Sequence, residues 1–151
     1  MHYRQLLPFL LSGFLLLSPS IFAAEKILRY TDHEPYGGMR TQIIKEIFFA
    51  EIEKESQGRL KIEPHWNGET AISYDALTTI SDGSKADMGI VVPEYTAKQL
   101  PLHQIFKSFA IGPDHGASQV EFFRRVYAEI PEFNAELERN NIVNLQFFLG
   151  Y

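Results

Sequence analysis

The side chains that most often perform catalysis or bind metals are few in this sequence and are not spaced for either task. Cysteine is absent, which excludes disulfides, thiolate zinc sites and cysteine nucleophiles. None of the five histidines lies four residues from another, as metal ligands on one face of a helix would. The serine-hydrolase, metalloprotease, phosphate-loop and calcium-loop motifs are also missing. We therefore expect no metal, no cofactor and no enzymatic activity.

A few residues near predicted turns could still contact a ligand. His33 follows the first predicted strand, and ligands of open α/β sheets bind beyond the carboxyl ends of strands. The alternative is a loop histidine that is hydrogen-bonded to backbone. Asp32, His33 and Ser73 contain the groups of a hydrolytic triad, but Ser73 is better placed as a helix N-cap. Gly37-Gly38 could offer N–H groups to an anion, but the pair lacks the glycine spacing of a dinucleotide-binding motif, and a plain tight turn is the favoured interpretation.

These residues would be positioned by short β-rich runs that alternate with helical segments. An Asn-Gly turn at 67–68 and glycine stops at 58 and 83 divide the segments. Because parallel strands need crossover connections, this order predicts an α/β fold with a mostly parallel sheet and helices on both faces. The predicted strands are 27–31, 60–63, 86–92 and 142–148, with 86–92 at the sheet centre, and an ordered loop covers 100–115.

The predicted helices supply an apolar face and recognisable ends. Ile43, Ile47, Phe48 and Ile52 recur at helical spacing in the first helix, and we expect them to form the core with Ile90 and Val91. Ser73 is predicted to cap the second helix, and Ser118 with Glu121 forms a capping box for the third. Pro131 interrupts that helix or begins the next one.

The first 23 residues differ from the rest of the chain. Arg4 precedes an apolar run, 6–17, and small residues follow at Ala23-Ala24, which is the pattern of a secretory signal. That run is too short for a membrane-spanning helix. We predict a signal peptide at 1–23 and one α/β domain at 24–151, exported to the periplasm if the host is a Gram-negative bacterium. With 14 basic and 19 acidic residues, nucleic acid is an unsuitable partner.

Several motifs, taken in order, resemble one protein family. Residues 49–62 read FAEIEKESQGRLKI, Asn-Gly occupies 67–68, DAL occupies 75–77 and DGSKADMG occupies 82–89. Their order and spacing resemble the substrate-binding subunits of tripartite ATP-independent periplasmic (TRAP) transporters. The resemblance implies a type II periplasmic binding-protein fold, in which two α/β lobes close on a small organic acid such as a C4-dicarboxylate. It also implies delivery of that acid to membrane permease subunits.

The resemblance further implies which residues face the ligand cleft. By position in the family pattern these are His33, Ser73, Tyr74, Val92 and Glu94, with Trp66 and Tyr95 as aromatic candidates for the rim. Each has a structural alternative: helix capping for Ser73, core packing for Val92 and the aromatic residues, and a solvated loop for Glu94.

The sequence is about half as long as a complete family member, and the family's carboxylate-binding arginines lie at or beyond the crossing to the second lobe. The resemblance therefore implies the N-terminal lobe of a solute-binding protein, with the second lobe missing. A small secreted α/β enzyme and an inactive remnant remain as alternative functions.

Overall fold

The computed structural model describes residues 25–108 and 116–145, which are built around a parallel three-stranded sheet. The strands are β1 (Lys26–Thr31), β2 (Leu60–His65) and β3 (Met88–Gly89), in the order β2-β1-β3. β1 pairs with β2 along its whole length, from Lys26 opposite Leu60 to Thr31 opposite His65. On its other side, β1 pairs with β3 through Tyr30 opposite Met88 and Thr31 opposite Gly89. The predicted parallel α/β sheet is confirmed.

Helices connect and follow these strands. A continuous helix begins as α1 (Met39–Ile43), passes through a π-helical segment (Ile44–Phe49) and ends as α2 (Ala50–Glu55). The others are α3 (Ala76–Asp82), α4 (Ile105–Ser108), α5 (Gly116–Glu129) and α6 (Pro131–Arg139), with short 3-10 helices at Pro93–Thr96 and Leu102–Gln104. Pro131 begins α6 at a position where its missing N–H costs no hydrogen bond, as one of the two predicted alternatives required.

Helices lie on both faces of the sheet, as predicted. Met88 and Ile90 belong to a core cluster with Ile44 and Phe49 of the first helix. Between them, Gly89 approaches Ile80 of α3, and Val91 packs against a second cluster built on Leu77, Leu100 and Leu137. Since successive residues of an extended chain point to opposite faces, the two clusters occupy opposite sides of the sheet.

The prediction that 86–92 forms the central strand is wrong for the sheet of the described residues, because β1 lies between β2 and β3 and β3 has only two residues. The apolar run at 86–92 indicates that helices cover both faces of the sheet there, but burial does not determine the position of a strand in the sheet. Gly89 is nevertheless indispensable to the packing. A Cβ atom there would lie 2.4 Å from the Thr31 carbonyl oxygen, so only glycine lets the two strands approach this closely.

The predicted core face of the first helix is partly wrong. Ile44 is completely buried and Phe49 nearly so, whereas Ile43 is exposed and Ile47 is 57% exposed. A π-helical turn contains about one residue more than an α-helical turn, so the inward face moves from Ile44 to a residue five positions later. Phe48 and Ile90 are partly buried against the first cluster and Val91 against the second, as expected.

Both predicted serine caps are also wrong. Helix α3 begins at Ala76 with Asp75 at its N-cap, and Ser73 lies in the preceding turn. Backbone hydrogen bonds from Asp75 and Ala76 to the Ile72 carbonyl close that turn instead of a serine hydroxyl. Ser118 lies inside α5, which begins at Gly116.

Other predictions fall partly or wholly outside the described residues. Residues 142–145 are not in a strand, and the rest of the predicted fourth strand, 146–148, is not described. The expected loop at 100–115 contains two short helices before the undescribed 109–115. The predicted signal peptide at 1–23 is also outside the described part.

A buried ionisable network joins α5, α6 and the 3-10 helix Leu102–Gln104. The Glu136 carboxylate accepts hydrogen bonds from the N–H groups of Leu102 and His103, at 2.8 and 3.1 Å, and lies 2.6 Å from His103 Nδ1. His103 Nε2 lies 2.6 Å from the Tyr127 hydroxyl. Burial opposes the Glu136 charge, but the bonds from His103 and the two N–H groups outweigh it and lower the pKa of Glu136. Burial and the Glu136 charge raise the pKa of Tyr127.

Replacement of Ile44 should distinguish the observed core face from the one that the periodicity predicts. We expect Ile44→Ala to lower the free energy of unfolding by about 2 to 5 kcal/mol, because it leaves a cavity in a fully buried site. Ile47→Ala, the matched control, should lower it by less than about 0.5 kcal/mol. Urea unfolding followed by circular dichroism measures both changes. Equal losses would contradict the inward shift at the π-helical turn.

Loss of the Glu136 charge should change how stability depends on pH. Because the folded pKa is lowered, the carboxylate stabilises the fold above its unfolded pKa of about 4.3, and this contribution disappears as the pH falls through the folded value. We expect Glu136→Gln to cost about 1 to 3 kcal/mol at neutral pH and to weaken the acid dependence. Unfolding curves measured across acidic and neutral pH test this. Exposed Glu138→Gln on the same helix is the control, and an unaltered acid dependence in Glu136→Gln would contradict the assignment.

Candidate functional site

The candidate site is the edge of the sheet where the three parallel strands end. The connections that leave β1, β2 and β3 begin at residues 32, 66 and 90, and parallel strands place all three at one edge. The N–H groups of Asn67 and Gly68 donate to the carbonyls of Glu34 and Asp32, at 2.8 and 2.9 Å. The first two connections are therefore fixed to each other by backbone hydrogen bonds.

A buried carboxylate organises this edge. Asp32 follows β1 directly and is 1% exposed. Arg40 donates to both of its oxygens at 2.9 Å, and the Tyr30 hydroxyl donates at 2.7 Å. The N–H of Glu34 donates a fourth bond at 3.0 Å. Asp32 thus links the end of the central strand to the first turn of α1.

Arg40 also reaches a second carboxylate. Its Nη2 lies 2.8 Å from Glu34 Oε2, on a side chain that is half exposed. Burial works against the Arg40 charge, but the hydrogen bonds to Asp32 and Glu34 outweigh it and raise the pKa of Arg40. Burial and the neighbouring Asp32 charge raise the pKa of Tyr30, so its hydroxyl remains a donor. The guanidinium is therefore already neutralised by residues of this chain.

The Asp32–Arg40 pair was not identified from the sequence. The available signal was an arginine in the first helical turn after a strand that is followed directly by aspartate. Arginine at a helix N-terminus opposes the helix dipole, so a nearby carboxylate was a reasonable expectation. What the sequence could not show is that the intervening loop folds back and brings residues 32 and 40 into bidentate contact.

His33 lies at this edge, partly buried, as the first strand end predicted. Its Nδ1 is buried, has no hydrogen-bond partner among the described residues and lies 3.9 Å from Asp32 Oδ1, too far for a hydrogen bond. Asp32 is instead hydrogen-bonded to Arg40, Tyr30 and the Glu34 N–H. Asp32, His33 and Ser73 therefore do not form a catalytic triad.

The other candidate residues follow β2 and β3. Ser73 and Tyr74 lie in the turn before α3, while Val92 and Glu94 flank the start of the 3-10 helix Pro93–Thr96. Ser73, Val92 and Glu94 are partly buried, and Tyr74 is 64% exposed. The rings of Tyr74 and Tyr95 are in contact, with centroids 4.7 Å apart. This contact joins the β2–α3 connection to the segment that follows β3.

Trp66 and Gly37 serve the fold at this edge. Trp66 packs against the first core cluster, with its ring centroid 5.3 Å from that of Tyr30 and 5.6 Å from that of Tyr36. The Gly37 N–H donates to Thr41 Oγ1 at 3.1 Å, and Gly37 has a φ of +125° that disfavours other residues. Core packing is thus the alternative that holds for Trp66, and Gly37-Gly38 forms a turn.

The acidic residue of the DGSKADMG motif lies away from this edge. Asp87 immediately precedes β3 and binds Arg29 of β1 through the backbone N–H and the guanidinium, at 2.8 and 2.9 Å. Arg29 also donates to the carbonyls of Gly83 and Ser84. The hydrogen bonds from Arg29 lower the pKa of Asp87. The motif therefore fastens the α3–β3 connection to the central strand.

Within residues 25–108 and 116–145, no group of three or more histidine, aspartate or glutamate side chains is arranged to hold a metal ion. In the same part of the chain, no helix has the length and apolar character needed to cross a membrane.

Removal of the Asp32 carboxylate should lower the stability of the whole domain. We expect Asp32→Ala to lower the free energy of unfolding by about 3 to 5 kcal/mol, because Arg40 loses its buried partner. Glu34→Ala removes the half-exposed partner of the same guanidinium and should cost about 1 kcal/mol or less. Chemical unfolding of both variants provides the measurement. If the two losses were similar, Asp32 would not organise the edge.

Comparison with known proteins shows a likeness in structure. No protein-family model and no curated protein matches the sequence. An extracytoplasmic solute receptor from Bordetella pertussis that binds pyroglutamic acid matches 76% of this chain and 36% of its own, with a TM-score of 0.61 and 17% identity. A TRAP periplasmic solute binding protein from Roseobacter denitrificans with bound 3-deoxy-D-manno-oct-2-ulosonic acid (Kdo) matches 76% of this chain and 35% of its own. Its TM-score is 0.60 and its sequence identity is 20%. The matched part spans about a third of each receptor, and this chain has the α/β fold of that part.

Proposed function

We propose that this chain is a periplasmic solute-binding protein, or the N-terminal lobe of one, that captures a small organic acid for a TRAP-type secondary transporter. The observation that carries the proposal is the shared fold with two solute receptors whose ligands are acids. The ordered resemblance of residues 49–62 and 82–89 to TRAP substrate-binding subunits supports it independently. Its partners are then a small carboxylate-bearing solute and the membrane permease subunits.

The carboxyl-end edge supplies one wall of the binding site in this proposal. His33, Ser73, Tyr74, Val92 and Glu94 lie on the three connections that leave this edge, and these are the residues we assign to the ligand. Arg40 is already neutralised by Asp32 and Glu34, so it has little capacity to bind a ligand carboxylate. The cation that holds the carboxylate is then contributed by a second lobe, as the length of the matched receptors also suggests.

Export is part of the same proposal. Residues 1–23 form the signal peptide and residues 24–151 the lobe that works in the periplasm. The acidic balance of the sequence is compatible with a domain that meets small solutes and not nucleic acid.

A secreted enzyme remains the second candidate, because histidine and aspartate are residue types used in acid–base catalysis and His33 and Asp32 lie at the candidate edge. Against it, the hydrogen bonds that hold Asp32 leave this carboxylate poorly suited to act as a general base. The proposed receptor releases its solute unchanged, whereas an enzyme would convert it.

Ligand-observed NMR of purified residues 24–151 tests the proposal with pyroglutamate, Kdo and succinate. One lobe covers about one face of a ligand that a complete site encloses by ~70 to 90%. We therefore expect dissociation constants of about 0.1 to 5 mM, weaker than those of complete sites, and unchanged acids after prolonged incubation. Competition between pyroglutamate and Kdo serves as the control for a single site.

Each other outcome would contradict a specific part of the proposal. Product resonances would favour the secreted enzyme. Absence of saturation transfer to every acid would favour an inactive remnant. Micromolar binding by residues 24–151 alone would show that a second lobe is unnecessary.

A further inference from the structure

Two tyrosines are exposed together at the carboxyl-end edge, although aromatic rings are usually buried. Tyr74 is 64% exposed and Tyr95 is 42% exposed. Their ring centroids lie 4.7 Å apart with the planes inclined by 50°, so the rings support each other while much of their surface faces solvent. We refer to Tyr74 and Tyr95 as the tyrosine pair.

The tyrosine pair is held in place by the backbone around it. Tyr95 lies in the 3-10 helix that follows β3, where its N–H donates to the Val92 carbonyl at 3.1 Å. Tyr74 lies in the turn whose carbonyl at Ile72 accepts hydrogen bonds from Asp75 and Ala76, and Ala76 is buried. Both rings are therefore mounted on ordered connections from two different strands.

The chemistry of the tyrosine pair differs from that of the Asp32–Arg40 pair. Among the described residues, neither phenol hydroxyl has a hydrogen-bond partner, so both can donate to a ligand oxygen. The ring faces offer a rigid apolar surface that loses little conformational entropy on binding. A saturated or lactam ring with polar substituents matches this combination better than a flexible chain does, because a ring loses less conformational entropy when it binds.

We propose that the tyrosine pair is a contact surface for the ring of a cyclic carboxylic acid, with the carboxylate bound elsewhere. This inference rests on the proposed function and specifies its ligand class. The neutralised Arg40 supports the division of tasks, since this edge offers aromatic surface more readily than free positive charge. The acids bound by the two matched receptors, pyroglutamic acid and Kdo, are both compounds that form rings.

Saturation-transfer NMR with pyroglutamate as the probe tests this assignment in purified residues 24–151. We expect Tyr74→Leu and Tyr95→Leu each to weaken binding by about 3- to 10-fold, because each removes one aromatic face. Tyr74→Phe and Tyr95→Phe keep the ring and should retain affinity within about 3-fold. Phe122→Leu, which alters an aromatic residue on α5 with the same exposure as Tyr95, is the control and should have no effect.

A matched pair of probes examines the preference for a ring. Cyclopentanecarboxylate and hexanoate have the same charge and the same number of carbons, and we expect the parent chain to bind the cyclic acid more tightly. Equal binding of the two would overturn the ring assignment. If pyroglutamate binds but the leucine variants bind it as the parent does, the tyrosine pair is not the contact surface and the proposed function survives. Failure of every acid to bind would overturn both proposals.

Discussion

The buried Asp32 carboxylate is the constraint on which the candidate site depends. A charged group with no solvent exposure is stable only when its hydrogen-bonding capacity is filled, and here Arg40, Tyr30 and the Glu34 N–H fill it. Its backbone takes part as well, since the Asp32 N–H donates to the His65 carbonyl and the Asp32 carbonyl accepts from Gly68. One residue therefore joins the central strand, the first helix and the loop after β2.

This arrangement has a consequence for recognition. Neutralising Arg40 internally stabilises the edge, but it leaves the guanidinium little capacity for an incoming anion. In the proposed function, the surface that this edge offers to a solute includes the exposed rings of Tyr74 and Tyr95. In the proposed function, this edge contacts the body of the solute, and the cation that binds the carboxylate comes from a second lobe.

A second buried network, among the helices, is ionisable, whereas the core cluster packed against β1 is apolar. Glu136, His103 and Tyr127 bind each other where α5, α6 and the preceding 3-10 helix meet, and aromatic rings at Phe106 and Phe133 surround them. Because the Glu136 charge is stabilised only in the folded arrangement, this layer responds to acid in a way that the apolar cluster under β1 does not.

Local patterns in the sequence were sufficient for the elements of the first half. The β-rich run at 27–31 and the alternation at 60–63 correspond to observed strands, and the periodicity after Met39 corresponds to a helix. The Asn67-Gly68 and Gly83 turns correspond to left-handed backbone positions. These features depend on interactions between neighbours in the chain, so residue type and spacing report them directly. The five candidate ligand residues were implied by the resemblance to TRAP substrate-binding subunits, and the structure places them on connections that leave one edge of the sheet because parallel strands end together.

Tertiary contacts decided the rest. The π-helical turn buries Ile44 and Phe49 and exposes Ile47. Phe49 packs there against Tyr30 and Trp66, and the helical periodicity of the sequence did not predict this turn. Strand order depends on which partner each edge accepts, so an apolar run could not reveal that β1 is central. The sequence determined the α/β alternation, whereas only the tertiary structure placed Asp32 on Arg40, Tyr74 on Tyr95 and Glu136 on His103. These contacts join residues that a loop or whole secondary-structure elements separate in the sequence. Burial and hydrogen bonding in three dimensions select them.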